Sequence, residues 1–257
     1  MRFDYKNTIM VAGHRGDPDN YPENTIQSFM SAIEKGVDMI ETDIHMSKDG
    51  VLVLIHDSSV DRTTDGTGYV KDKTYEELYE LNAGTADNFQ HIPTLEEFLK
   101  LVVQNDVLIN LEFKDYYDDS NAEFCHEAVG KTIALVEKYN LASKCVLNSF
   151  DAFILEYIDQ KYNGKYRLHG FYPYNIMKNV VRNPDEYLYC ACVFDDRNRE
   201  NYEYLRNRNI EVWLGAGIKE KEDFERAVKL GGILFTSNNP GKAIQILEEL
   251  GLRKELK

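Results

Sequence analysis

Ile9-Met10-Val11-Ala12-Gly13-His14-Arg15-Gly16 is a short apolar run that stops at a histidine and an arginine held between two glycines. Such a run reads as a buried strand. Glycine lets the backbone turn sharply and lets a ligand come close. Strand ends are where α/β folds place their chemistry. Histidine moves a proton near neutral pH, and arginine grips a phosphate with a planar fork of donors. The stretch therefore points to acid–base chemistry on a phosphate at a strand end.

Seven further apolar runs have the same character: 38–43, 108–112, 145–148, 167–171, 188–193, 210–214 and 232–236. Amphipathic helical patterns lie between them, for example at 25–35, 151–161, 219–230 and 240–250. Alternation of this kind predicts parallel βα units. Eight units in 257 residues predict one (β/α)8 TIM barrel domain spanning 1–257. One segment breaks the pattern. Residues 51–56, VLVLIH, also read as a strand but follow the second strand too closely for a parallel crossover, which needs about a dozen residues. They must return antiparallel, as a hairpin closed by Lys48-Asp49-Gly50. His56 and Asp57 then end near Glu41 and Asp43. A small insertion follows, about 57–92, with turn signals at Asp65-Gly66-Thr67-Gly68 and a short helix near 74–81.

The net charge of −14 argues against general nucleic-acid binding and against unaided docking to anionic membranes. None of the four cysteines, Cys125, Cys145, Cys190 and Cys192, forms a CxxC pair, which fits buried thiols in a reducing cytoplasm. The N-terminal MRFDYKNTIM lacks an apolar stretch of signal-peptide length, and no segment is apolar enough to span a bilayer. A cytoplasmic protein without stable membrane anchoring is expected.

Strand parity gathers the chemistry. Glu41 and Asp43 are two apart, so both carboxylates share a face. Read alone, they are a solvated rim pair or the ligands of a cation that relieves their repulsion. Glu112 and Lys114 share a face by the same rule, as a third oxygen ligand with a phosphate-neutralising cation, or as a plain surface pair. Three carboxylates without cysteine or histidine partners favour Mg²⁺ or Ca²⁺ over Zn²⁺. His14 and His56, at convergent strand ends, are the expected proton carriers; His45 could line the same site. Asn24 or Thr25 caps the first helix. Trp213, the only tryptophan, is either core or a wall against an apolar or glycerol moiety.

In their order, GHRG with PENT, IETDIHMSKDG, VLIHD, DRTTDGTG, IPTLEEFL and LEFK resemble the glycerophosphodiester phosphodiesterases, most strongly over 12–114. The resemblance implies a (β/α)8 barrel with an insertion after the second strand. It implies a divalent cation on Glu41, Asp43 and Glu112, catalytic His14 and His56, and phosphate binding by Arg15 and Lys114. The implied reaction releases glycerol 3-phosphate and an alcohol from a small glycerophosphodiester. The C-terminal part departs: Trp213-Leu214-Gly215-Ala216 stands where the family often has Trp-Thr-Val-Asn, and Thr236-Ser237-Asn238-Asn239-Pro240 where it often has Thr-Asp and a nearby proline. Both departures bear on which alcohol is accepted, with Trp213 the expected substrate contact. Two rival readings are a phospholipase-like phosphodiesterase acting on inositol or lyso-lipid substrates, and a phosphodiester-binding protein without turnover. Oligomeric state is not legible.

Overall fold

A computed structural model describes residues 3–195 and 197–256. Its nine strands are β1 (Met10–His14), β2 (Met39–Met46), β3 (Leu52–Leu54), β4 (Leu108–Phe113), β5 (Cys145–Asn148), β6 (Arg167–Phe171), β7 (Cys190–Val193), β8 (Glu211–Leu214) and β9 (Gly232–Ser237). Eight of them run parallel in the order β1-β9-β8-β7-β6-β5-β4-β2, and β1 also pairs with β2, which closes the barrel. The α-helices among the described residues are α1 (Ile26–Glu34), α2 (Tyr75–Tyr79), α3 (Leu95–Val103), α4 (Ala122–Lys138), α5 (Ala152–Lys161), α6 (Arg199–Arg206), α7 (Lys221–Leu230) and α8 (Pro240–Glu249). The eight-fold alternation read from the sequence is the observed barrel.

The one strand outside the barrel, β3, forms the predicted hairpin with β2. On one edge β2 pairs with β4 from Met39 to Ile44, whereas on the other it pairs with β1 only from Met39 to Glu41. Beyond Glu41 that second edge is free, and β3 fills it antiparallel, with Ile44 opposite Leu54 and Met46 opposite Leu52. The turn needs Gly50, whose φ of 80° favours glycine. The strand, Leu52–Leu54, is shorter than the expected 51–56; past it the Ile55 N–H still reaches the Asp43 carbonyl at 3.2 Å, which keeps His56 beside the end of β2. The insertion after it includes α2 and has its own small core of Val53, Ile55, Val60, Val70, Leu78, Ala83 and Ile92.

Inside the barrel, Met10, Ala12, Met39, Val146, Cys190, Trp213 and Leu234 pack together with Phe3. A second, larger core joins the outer strand faces to the helices. Moving up the same inward faces by steps of two, Ala12 gives way to His14, Met39 to Glu41 and Asp43, and Val146 to Asn148. The apolar cluster thus lies low in the barrel, and the carboxylates gather at its upper end. Thr25, rather than Asn24, caps α1 by accepting from the Ser28 N–H at 3.2 Å, a contact worth about 1 kcal/mol.

Candidate active site

The loop after β1 is built around two glycines. A Cβ on Gly13 would lie 2.4 Å from the Gly16 carbonyl oxygen, and one on Gly16 would meet the Ser28 side chain at 2.4 Å. This tight corner holds Arg15 at a φ of 55°, a left-handed conformation costing about 1 kcal/mol or more outside glycine. Two acceptors on Glu41 hold it there: the Arg15 N–H faces the Glu41 carbonyl at 2.9 Å and carboxylate Oε2 at 3.0 Å.

Three carboxylates meet at the top of the lumen. Glu41, Asp43 and Glu112 are 3%, 1% and 6% exposed. They offer oxygens that lie within 4.8 Å of one another. Lys114 Nζ is 2.8 Å from Glu112 Oε1 and 3.6 Å from Asp43 Oδ1. Arg15 Nε is 3.1 Å from Asp43 Oδ2. Burial opposes the ionisation of Asp43, but Lys114, Arg15 and His56 outweigh it and hold the carboxyl below its usual range. Glu41 lies well above that range, through burial and then the charges of Asp43 and Glu112. Burial also raises Glu112, with Lys114 working against it.

The donor set fits a divalent cation. Glu41 Oε1 is buried and has no hydrogen-bond partner among the described residues, which is costly unless something positive faces it. All the donors are hard carboxylate oxygens, which suits an ion of the alkaline-earth class. Three carboxylates face Arg15 and Lys114, and Arg15 is shared with Glu23, so an excess of negative charge is left that a divalent ion would offset.

Two histidines flank this cluster. The Nδ1 atom of His14 lies 2.5 Å from Asn238 Oδ1, and its Nε2 is 3.9 Å from Glu41 Oε2. His56 Nδ1 lies 2.6 Å from Asp57 Oδ1. Burial lowers both rings below the ordinary histidine value, helped by Arg15 at His14 and by Lys114 at His56. His45 is largely buried between Asp115, 2.5 Å from its Nδ1, and the His56 carbonyl, 3.3 Å from its Nε2, so it braces the backbone of His56 while its edge lines the groove beside Lys114.

Trp213 is a correction. It does not reach the rim and is not a substrate wall. Its neighbours set its depth: Trp213 packs with Met10, Met39, Cys190 and Leu234 in the inner core. The side chain is fully buried, and its Nε1–H donates to the Glu211 carboxylate at 3.2 Å. The aromatic wall of the rim is formed instead by Phe150, Phe171 and Phe194. Phe150 and Phe171 stack at 3.4 Å between ring centroids, and the outermost ring, Phe194, is 55% exposed.

The sequence does not single out several supporting residues. Asn24 donates to Asp43 Oδ2 at 2.9 Å and accepts from the Thr42 hydroxyl at 2.8 Å. Glu23 accepts from Arg15 at 2.9 Å and from Arg62 at 2.7 and 3.0 Å, and Arg62 also donates to Asp57 at 2.6 Å. Asn148 donates to Glu112 Oε2 at 3.3 Å. A carboxylate directly after His56 was the one available signal for Asp57; the others are joined only by the fold. Beyond Lys114 the site opens into a groove of about 1020 Å³, between Ser58, Tyr69 and Lys71 on the insertion and Tyr116 and Phe124 beyond β4.

Residues 14–201 match the model of the glycerophosphoryl diester phosphodiesterase family. The chain is 42% identical over 150 residues to a glycerophosphodiester phosphodiesterase of Caldanaerobacter subterraneus, a match covering 57% of this chain and 60% of that protein. It is 36% identical over 146 residues to a glycerophosphodiester phosphodiesterase of Bacillus altitudinis, covering 54% of this chain and 57% of the relative. The matched stretches thus span less than two thirds of these relatives. Among solved structures, an Oleispira antarctica phosphodiesterase in complex with the product sn-glycerol-3-phosphate superposes with a TM-score of 0.79 at 22% identity, over 93% of this chain and 96% of that one. A glycerophosphodiester phosphodiesterase from Agrobacterium tumefaciens superposes with a TM-score of 0.74 at 22% identity, over 91% of this chain and 98% of that one. At that identity the superpositions speak for the fold. Among the described residues, no helix is long and apolar enough to cross a membrane.

Proposed function

Because the chain belongs to the glycerophosphoryl diester phosphodiesterase family, we propose that it hydrolyses glycerophosphodiesters to glycerol 3-phosphate and an alcohol. The observation that carries this reading is the buried triad of Glu41, Asp43 and Glu112 set against Arg15 and Lys114, an acidic cluster that a divalent cation would offset beside two cations able to hold a phosphate. The sn-glycerol-3-phosphate found as product on an Oleispira phosphodiesterase of the same fold agrees with it.

The three carboxylates would hold Mg²⁺ or Ca²⁺. When bound, such an ion offsets charge on the phosphate oxygens as phosphorus becomes five-coordinate. Arg15 and Lys114 orient the phosphate and share its charge. One histidine takes the proton of the attacking hydroxyl, whose oxygen forms the new P–O bond. The P–O bond to the alcohol breaks, its electron pair stays with the leaving oxygen, and the other histidine returns a proton to it. The attacking oxygen is that of the neighbouring glycerol hydroxyl, giving a cyclic phosphate whose ring P–O bond water then breaks with the histidine roles reversed, or that of water directly; an intramolecular hydroxyl gains from proximity. The leaving alcohol extends into the groove beside Tyr69 and Tyr116. Residues 1–257 work as one barrel unit with the insertion as its rim, and four free buried thiols fit a reducing compartment such as the cytoplasm.

Single alanine variants of His14 and His56 test the reading. Each should lose about 10²- to 10⁴-fold in kcat with the fold intact. Two fully active variants would remove both rings from the chemistry.

A further inference from the structure

We propose that Asn238 is a positioning residue that fixes His14 in the tautomer with its proton on Nδ1, so that Nε2 presents a lone pair to the site. The inference rests on the phosphodiesterase reading for its kinetic consequence, but not for the tautomer itself.

The contact sits on a pinned backbone. Asn238 follows the last residue of β9, and its carbonyl accepts the Asp19 N–H at 3.2 Å. The next residue, Asn239, donates its N–H to Ser237 Oγ at 3.1 Å and caps α8 through the Lys242 N–H at 3.1 Å. Both flanks of Asn238 are therefore held, and its side chain meets His14 with Oδ1 only 2.5 Å from Nδ1.

That atom pairing decides the proton. A carboxamide oxygen has lone pairs and no hydrogen. At this separation the contact is attractive only when Nδ1 carries the hydrogen; two facing lone pairs would repel. A neutral imidazole has one N–H, so Nε2 is then an acceptor. Nε2 is also the atom on the carboxylate side, 3.9 Å from Glu41 Oε2. His14 consequently enters the reaction as a proton acceptor. The proton leaving the attacking hydroxyl passes to Nε2, and the resulting imidazolium keeps its Nδ1–H on Asn238. His56 is held through the same ring atom but by Asp57, a carboxylate. The two rings are thus aimed alike and backed by partners of different charge.

The test separates tautomer from turnover. Long-range ¹H–¹⁵N correlation on ¹⁵N-labelled protein with Mg²⁺, at alkaline pH where the ring is neutral, reads which nitrogen of His14 is protonated; the spectrum of His14→Gln assigns the signal. The wild type should show the Nδ1–H form. Asn238→Asp, the same shape and acceptor only, should keep that form and hold kcat within about threefold, because the hydrogen bond survives. Asn238→Leu should give a tautomer mixture and lose about 10- to 100-fold in kcat with little change in KM, part of the whole acid–base contribution. An Nε2–H form in the wild type, a folded Asp variant as inactive as the Leu variant, or a Leu variant with full kcat would each overturn the proposal. A wild type with the Nδ1–H form that turns over no glycerophosphodiester would instead sink the activity reading and leave the tautomer standing.

Discussion

Arg62 of the insertion clamps Glu23 of the β1–α1 loop through two guanidinium nitrogens, at 2.7 and 3.0 Å. The same guanidinium reaches Asp57 at 2.6 Å, and Asp57 holds His56. Glu23 in turn faces Arg15, which lies against Asp43. One half-exposed arginine therefore ties the histidine on the hairpin to the carboxylates in the lumen.

Arg62→Ala should uncouple them. Because the side chain is 47% exposed, the stability loss should stay near 1 kcal/mol or less. Turnover should suffer more, with kcat falling about tenfold as His56 and Arg15 lose orientation. Steady-state kinetics beside a thermal melt check this; a large drop in Tm with unchanged kcat would make the clamp purely structural.

Asn24 joins Thr42 to Asp43 inside the protein, so Asn24→Ala strands two buried polar groups. Stability should fall by about 1–3 kcal/mol. Cation affinity should weaken about 10-fold or more, as when the support behind a metal ligand is lost. Denaturant melts and calorimetric Mg²⁺ or Ca²⁺ titrations measure the two effects separately.

Glu41→Gln removes one charge from a crowded, buried set. Without a cation the variant should be at least as stable as the wild type, because Glu41 is held above the usual carboxylate range by burial and by Asp43 and Glu112. Saturating Mg²⁺ or Ca²⁺ should raise the wild-type melting temperature, with about 2.7 kcal/mol gained at a hundredfold excess over Kd, and should barely move the variant. Equal shifts in both proteins would place the ion elsewhere.

Trp213→Phe should cost stability without touching substrate affinity. The ring is fully buried, so a smaller one leaves space worth about 1–3 kcal/mol and takes one donor from Glu211. KM should stay within about twofold, since no substrate reaches that depth. A selective rise in KM would return Trp213 to the site.

The strands and the gathering of the carboxylates were legible in the sequence for simple reasons. Side chains two apart on a strand share a face, which brought Glu41, Asp43, Glu112 and Lys114 together. The minimum length of a parallel crossover forced the hairpin that carries His56. Depth was not legible. Trp213 read as either core or wall, and only the packing of the fold sets it beside Met10, Met39 and Leu234. The supports were hidden by distance along the chain: Arg62 lies 39 positions from Glu23, and Asn238 lies 224 from His14. Short polar side chains also have competing local uses. Asn24 or Thr25 read as the helix cap; Thr25 takes that role, leaving the Asn24 carboxamide free to hold Asp43.

The central claim is that this rim, loaded with a divalent cation, breaks a glycerophosphodiester on the glycerol 3-phosphate side. ³¹P NMR of glycerophosphoethanolamine with the purified protein measures it directly. With Mg²⁺ or Ca²⁺ the diester signal should give way to glycerol 3-phosphate, EDTA should stop the conversion, and returning the ion should restore it. Conversion that proceeds unchanged in EDTA, or a phosphorus product other than glycerol 3-phosphate, would contradict the account.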